Sequence, residues 1–522
     1  MQLKYPQTSM ADNVAEEVEQ VEHATDGPTQ PPAGVVTKDP LTWSKWMKLG
    51  ITFNICANVF LNNACAAGLV PTLGPIAAEF GIPITTASYL MSYNVLAQGL
   101  SNLIWVPTML CFGKRWVVLG SMGLLLPCIA WAAVATGYES LLGARVLGGF
   151  ASGASETFAP VIIADIWYEH DLTTALGFFA LCILAGACLG QTALGYVTEG
   201  VGWRWAYWVT LIACALNFIT IFLWLPETTF QRGLSVGITA GDLERSEKQR
   251  KKPVSTNLEA ADSSACAQGS CSEPLPSMRP NLWFIRHPQV DYNANWFLCF
   301  VRPFCFVLAP TVLWSTLTYG VAAGGFTAIG VCIPQLLGAP PYNFNPGAQG
   351  LFSLCSFVGV VLGGTVGTKV VDIVNARIEQ RRSEHGQSHK PEERLIMLAV
   401  PFFTVTTGLV LYGVAVERQL SWIGPAFGYG MHSFGFAVLA GITFSYAVDS
   451  YLVRSGEVMV FNNTVRALLS FGFAHFVPNW TIQVGPGVAY SVLAAIIWGL
   501  LLFAIPMFFF GPRLRDRTHR YL

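Results

Sequence analysis

Residues 139–163 read ESLLGARVLGGFASGASETFAPVII, a run of 25 positions in which Arg145 and Glu156 are the only charged residues after the leading Glu139. At 1.5 Å per residue such a helix crosses a hydrocarbon core of about 30 Å. A soluble helix of that length would show a polar stripe, whereas here the polar positions are few. Small residues recur instead, which lets a neighbouring helix approach closely in a membrane. This stretch is therefore a membrane span, and it decides how the rest of the chain is read.

Eleven further runs of similar length flank it. Six of the twelve lie before residue 230 (47–70, 84–107, 116–136, 139–163, 174–197 and 204–225) and six after residue 300 (305–333, 349–371, 395–415, 422–447, 458–478 and 488–510). Composition agrees: of 522 residues, 53% are hydrophobic and 12% charged, against about 25% charged in soluble domains. The expected class is an all-α membrane protein with twelve transmembrane helices in two pseudo-symmetric six-helix bundles.

Charge sidedness gives the orientation. With the N-terminus placed in the cytoplasm, 26 of the 30 Lys and Arg fall on the cytoplasmic side, two (Arg204 and Arg418) on the outer side, and two (Arg145 and Arg466) within spans. The positive-inside rule selects this arrangement over its inverse. Residues 1–43 are expected as a disordered cytoplasmic N-terminus, 44–232 as the first bundle, 233–304 as a Ser-rich charged cytoplasmic linker with an amphipathic stretch at 286–302, 305–511 as the second bundle and 512–522 as a cytoplasmic tail. The acidic N-terminus has no apolar core, so it is not read as a signal peptide. A net charge of −1 argues against nucleic-acid binding. The 13 cysteines fall mostly in apolar segments and read as small buried hydrophobes.

Several local motifs then agree in order and placement. They are Arg145-Val-Leu-Gly-Gly149 followed by Gly153 and Glu156 in span 4, Leu225-Pro226-Glu227-Thr228-Thr229 after span 6, Asp39-Pro40-Leu41-Thr42-Trp43-Ser44, Pro391-Glu392-Glu393-Arg394, and Asp449-Ser450-Tyr451 with Gly456-Glu457. This set resembles the major facilitator superfamily, and within it the fungal twelve-spanner drug:proton antiporters, over residues 40 to 515. Two positions depart from the family pattern. Leu110 stands where the loop between spans 2 and 3 normally carries an acid ahead of Gly113-Lys114-Arg115. The glycine motif of span 5 appears as Gly186, Gly190 and Gly195 with Gln191 in place of proline. The resemblance implies secondary active transport of a small organic compound by alternating access, most simply its proton-coupled efflux, with a proton gradient and no cofactor. It further implies a monomer in the plasma membrane, with the vacuolar membrane as the alternative location, and it links Arg145 to proton transfer.

Charges at membrane depth are costly and mark pathways or partners. Arg145 and Glu156 stand eleven residues apart, within about 20° of one helix face and roughly 16 Å along it, with Gly149 and Gly153 on the same stripe. Glu156 is read as a proton-exchanging carboxylate and Arg145 as its modulator or a substrate contact; the competing reading pairs each permanently with a neighbouring helix or loop. Asp165 and Asp449, at equivalent ends of spans 4 and 10, read as helix caps or loop salt bridges rather than transport groups; Lys114 and Arg115 belong to the motif of the loop between spans 2 and 3.

Asn54, Asn58 and Asn62 form one stripe and Asn94, Gln98 and Asn102 another. Amides cannot face lipid unpaired, so both stripes line either the substrate path or an interhelical contact. Trp314, Tyr319, Phe326 and His432 are candidates for an aromatic wall, against ordinary packing. His475 sits near the outer end of span 11. Asn479-Trp480-Thr481 is a glycosylation sequon placed in the loop between spans 11 and 12.

Three other functions compete. Proton-coupled import of an organic solute or cation suits the same polar stripes. A membrane enzyme such as a desaturase needs clustered histidine ligands, and the eight His are scattered, so no metal site is expected. An ATP-driven pump needs a GxxxxGK[ST] loop, which is absent.

Overall fold

A computed structural model describes residues 40–226, 228, 296–367, 369–371, 373, 374, 377, 391–451 and 454–518. The expected disordered N-terminus at 1–39 and most of the expected linker, up to residue 295, lie outside the described residues. The described chain from Trp43 onward belongs to one compact helical unit.

The first half contains α1 (Lys45–Ala67), α2 (Leu73–Phe80), α3 (Ile84–Phe112), α4 (Lys114–Val134), α5 (Tyr138–Ser152), α6 (Ala154–Ile166), α7 (Glu169–Val201) and α8 (Trp203–Trp224). Helices α1 and α2 are one span interrupted at Gly68–Thr72, where Pro71 cannot donate to a helical ladder. Helices α5 and α6 are one span broken at Gly153. The second half contains the short α9 (Trp296–Val301), then α10 (Pro310–Leu336), α11 (Pro346–Leu362), α12 (Ala399–Glu417), α13 (Ile423–Ser450), α14 (Ser455–Val484), α15 (Pro486–Leu502) and α16 (Ala504–Thr518). Among the described residues, ten helices or joined helices are long and apolar enough to cross a membrane, and the pair α15–α16, bent by 41°, makes an eleventh. Helix α14, at 30 residues, is long enough, but it carries Asn462, Asn463, Arg466, His475 and Asn479. Asn462 is buried, Arg466 pairs with Glu156, His475 stacks on Tyr89 and Asn479 donates to the Tyr89 hydroxyl.

Two repeats relate the halves. The turns before α8 and α15 both pivot on a glycine with positive φ, 97° at Gly202 and 88° at Gly485, a conformation that a β-carbon disfavours. The ends of α6 and α13 both carry an aspartate that pairs with a basic residue at or just before the start of an earlier helix: Lys114 with Asp165, and Arg394 with Asp449 at 2.9 Å. These bridges lie at one end of the bundle, called the basic end below.

Large apolar side chains such as Trp46, Phe53, Leu216, Phe403, Phe427 and Phe476 point outward, which is the surface a bilayer requires. Inward, the second half packs around the buried Tyr412, Tyr429, Tyr446 and Tyr490, and the first around clusters containing Leu69, Ile76, Leu141, Phe158 and Ile162.

Three expectations about boundaries are corrected. The span drawn from residue 305 begins at Pro310, because Arg302–Leu308 forms a 3-10 helix leading into it. The tail expected from 512 is helical as far as Thr518. The sequon lies inside α14 rather than in a loop, since the helix runs to Val484 before Gly485 ends it. Asn479 donates to the Tyr89 hydroxyl at 3.1 Å and is not presented as a glycosylation acceptor.

Candidate functional site

The glycines of span 4 set the position of Glu156. A β-carbon on Gly149 would collide with the Asn94 carbonyl oxygen, and one on Gly153 with the Gln98 carbonyl and Ser101 hydroxyl. With hydrogen at both places, α5 and the start of α6 press directly on α3. Glu156, three residues past Gly153, then reaches Gln98, whose Nε2 donates to Oε1 at 3.3 Å.

The other carboxylate oxygen accepts from the Arg466 Nη2 of α14 at 2.5 Å. The pair joins the two halves of the molecule, and Glu156 is 8% exposed. Sequence reasoning left Arg466 out of the candidate site. A signal was present: a cation at membrane depth demands a counter-charge, and Glu156 was the acid available at that depth. Tyr319 of α10 lies within electrostatic range of both partners. Its ring stacks on Phe436 at 5.8 Å, Phe436 on Phe326 at 5.4 Å, and Phe326 meets Tyr429 at 5.8 Å, so an aromatic ladder runs from the ion pair into the second half.

Arg145 is directed elsewhere. Its Nη1 and Nη2 donate to the carbonyls of Cys65 and Ala66, each at 2.8 Å, and Nη2 also approaches the Met91 sulfur at 3.2 Å. Those carbonyls belong to the last turn of α1, where a helix leaves acceptors unfilled. The guanidinium therefore caps the break in span 1 and does not contact Glu156, although both belong to one span. Asn94 supports this arrangement by donating to the Arg145 carbonyl at 2.7 Å.

Two seams hold the halves together at and beyond the ion pair. Along one, α7 meets α11. Gly195 lies against the Pro346 carbonyl, Gly350 against that of Gln191, Ser353 donates to the Gln191 Oε1, Thr192 donates to the Gly350 carbonyl at 2.9 Å, and Asn345 donates to Glu199 at 2.6 Å. Along the other, α3 meets α14. Gly99 abuts Ala467, Tyr89 stacks on His475 at 4.4 Å, and Tyr93 packs on Phe471 at 5.5 Å. Two six-helix halves with matching turns and matching basic-end bridges, joined by an ion pair at membrane depth, agree with the sequence profile described as Major Facilitator Superfamily, which matches residues 55–475.

The chain belongs to the major facilitator superfamily. It is 26% identical over 504 residues to the efflux pump vrtL of Penicillium aethiopicum, covering 94% of this chain and 89% of that one. It is 24% identical over 492 residues to the MFS-type transporter acdC of Aspergillus candidus, with the same coverage of both. Among solved structures, the peptide transporter POT in complex with sulfate superposes with a TM-score of 0.58 at 14% identity, covering 89% of this chain and 95% of that one. The xylose transporter XylE from E. coli gives 0.58 at 13% identity, covering 88% and 98%. At these identities the structural likeness speaks for the fold.

The remaining candidates of this facilitator fall into place around that frame. The amide stripe of α1 is an interhelical contact with α8. Asn217 Nδ2 donates to Asn54 Oδ1 at 2.9 Å, Asn58 Nδ2 donates to Asn217 Oδ1 at 3.1 Å, Asn62 donates to Asn58 Oδ1 at 2.8 Å, and Thr220 donates to Asn54 at 2.9 Å. Asn217 and Thr220, which complete this network, were missed because a single Asn in span 6 shows no stripe. Trp314 donates to the Leu500 carbonyl at 2.9 Å and packs on Tyr446. His432 is fully buried, with Nδ1 3.1 Å from the Val405 carbonyl. Both therefore pack within the second half, while Tyr319 alone of that group lies near the ion pair. Gly186 and Gly190 seat α1 through Phe60 and Ala64. Arg115 donates to the Phe222 carbonyl at 3.1 Å, which ties the basic end of α4 to α8. Among the described residues, no cluster of His, Cys, Asp and Glu could hold a metal ion.

Proposed function

We propose that this facilitator couples proton entry to the efflux of a small organic compound by alternating access, in a monomer that places its basic end in the cytoplasm of a plasma membrane. The observation that carries the reading is the buried Glu156–Arg466 pair between the halves. Protonation neutralises Glu156 and removes the charge attraction to Arg466, which lowers the cost of parting the halves. Deprotonation restores it. Gln98 holds one carboxylate oxygen in either state, and the Tyr319–Phe436–Phe326 ladder offers flat apolar faces beside the pair. Efflux is favoured over import by relatives named as efflux pumps, and the orientation by the positive-inside rule.

The test expresses the chain in a transporter-deficient yeast and measures accumulation of labelled amphiphiles and small cations, with and without a protonophore, beside Glu156→Gln. Efflux predicts lower accumulation that the protonophore and the substitution each abolish. Raised accumulation identifies an importer instead.

A further inference from the structure

The two seams between the halves differ in how completely their polar groups are paired. On the α7–α11 seam, Gln191, Thr192, Ser353 and Asn345 all reach partners across the join, and Cys188 meets Ser356 at 3.9 Å. Gln349, whose Oε1 is unpaired, turns away from that seam toward Gly338 within the second half.

The α3–α14 seam has the bond from Asn479 to the Tyr89 hydroxyl, but several of its polar groups have none. Both amide atoms of Asn102, the Arg466 Nε, the Ser470 hydroxyl and the His475 Nδ1 are enclosed without a hydrogen-bond partner. Helical spacing sets Asn102 within about 60° of Gly99 and about 40° of Gln98. Ser470 holds the same relation to Ala467 and Arg466. Since Gly99 abuts Ala467 and Gln98 and Arg466 share Glu156, both unpaired side chains stand along the contact line. They are 1% and 2% exposed.

Enclosing a polar group without a partner raises the free energy of the arrangement that encloses it. That penalty disappears when the seam parts and water reaches the group. We infer that Asn102 and Ser470 are positioning residues of the transport cycle, whose unpaired polar groups keep the closed α3–α14 seam close in free energy to a parted, wetted one. The inference rests on alternating access, and it assigns to these two residues the balance between the two states.

A residue that merely supports the fold and one that sets this balance respond to substitution with opposite signs. The experiment uses the full chain in lipid nanodiscs, as Asn102→Leu, as Ser470→Ala, and as Ser353→Ala on the fully bonded seam. The thermal midpoint and the deuterium uptake of the segment 467–484 are measured for each. Asn102→Leu and Ser470→Ala are expected to raise the midpoint by about 2 °C or more and to slow uptake. Ser353→Ala, which removes a bond that is made, is expected to lower the midpoint. A lowered or unchanged midpoint in both seam variants, or uptake no slower than wild type, overturns the inference. Should Asn102→Leu fail to fold, Ser470→Ala, which deletes one oxygen, carries the test. Neither readout needs a substrate, so a failure of proton-driven efflux is distinguishable from a failure here.

Discussion

The Glu156 carboxylate meets the Arg466 guanidinium at 2.5 Å although 310 residues separate them in the chain. One belongs to the broken fourth span and the other to the polar eleventh, so the contact exists only while the two halves are drawn together at that depth. A charge left alone there would be strongly disfavoured, which ties the state of one side chain to the separation of the halves.

Removing one partner from a buried pair leaves the other uncompensated, at a cost of about 3–5 kcal/mol. Glu156→Gln and Arg466→Gln are each expected to lower the thermal midpoint of the purified protein. The double variant is expected to recover part of that loss, because no lone charge remains. A strictly additive double loss, measured on the same preparation, contradicts a direct pairing.

Arg145 acts on stability through two carbonyls at the end of α1. Hydrogen bonds from a charged donor contribute about 1.5–3 kcal/mol each. Arg145→Ala is therefore expected to destabilise strongly. Arg145→Lys retains the charge but lacks the planar fork that spans two acceptors, so it should recover less than half of the loss. Chemical or thermal unfolding of the three proteins side by side decides the matter, and full rescue by Lys would contradict a bidentate cap.

Asn217 serves Asn54 and Asn58 at once. Its replacement by Ala takes a donor from Asn54, which keeps Thr220, and the amide acceptor from Asn58, which keeps the Met122 sulfur; a buried group left short of a partner costs about 1–3 kcal/mol. Asn217→Ala should thus cost more than Asn54→Ala, although Asn217 was not singled out by any stripe. Equal midpoints for the two variants would show that the network is not organised around Asn217.

Gly186 lies so close to the Phe60 carbonyl that a β-carbon collides with backbone. Overpacking of this kind costs about 1–3 kcal/mol. Gly186→Ala should lower the midpoint, whereas Gly177→Ala on the same helix, with open space around it, should be neutral or slightly stabilising.

The basic-end bridges carry less weight. Lys114 and Asp165 are 13% and 23% exposed and Arg394 and Asp449 29% and 26%, each more than the 8% of Glu156, and the contribution falls toward about 0–1 kcal/mol as a pair approaches full exposure. Reversing the charges together, as Lys114→Asp with Asp165→Lys, is expected to leave stability within that range of wild type while either single reversal lowers it. A double-mutant cycle reads the coupling directly.

The approximate spans, an expected orientation from the distribution of Lys and Arg, and the family were legible in the sequence alone. These are local or additive properties: an apolar run of about 20 residues crosses a bilayer wherever it stands, and a lysine counts toward orientation whatever its partner. The same reading marked Glu156, Arg145 and the amide stripes as groups for which hydrocarbon supplies no partner. The identity of their partners emerges from how the helices pack. Arg145 shares a span with Glu156 yet caps α1, Arg466 comes from the other half to take the carboxylate, and Asn217 completes a stripe drawn on α1. For Glu156 and Arg466 the choice follows from which glycines let two backbones touch, a property of pairs of helices that no single helix carries in its own pattern.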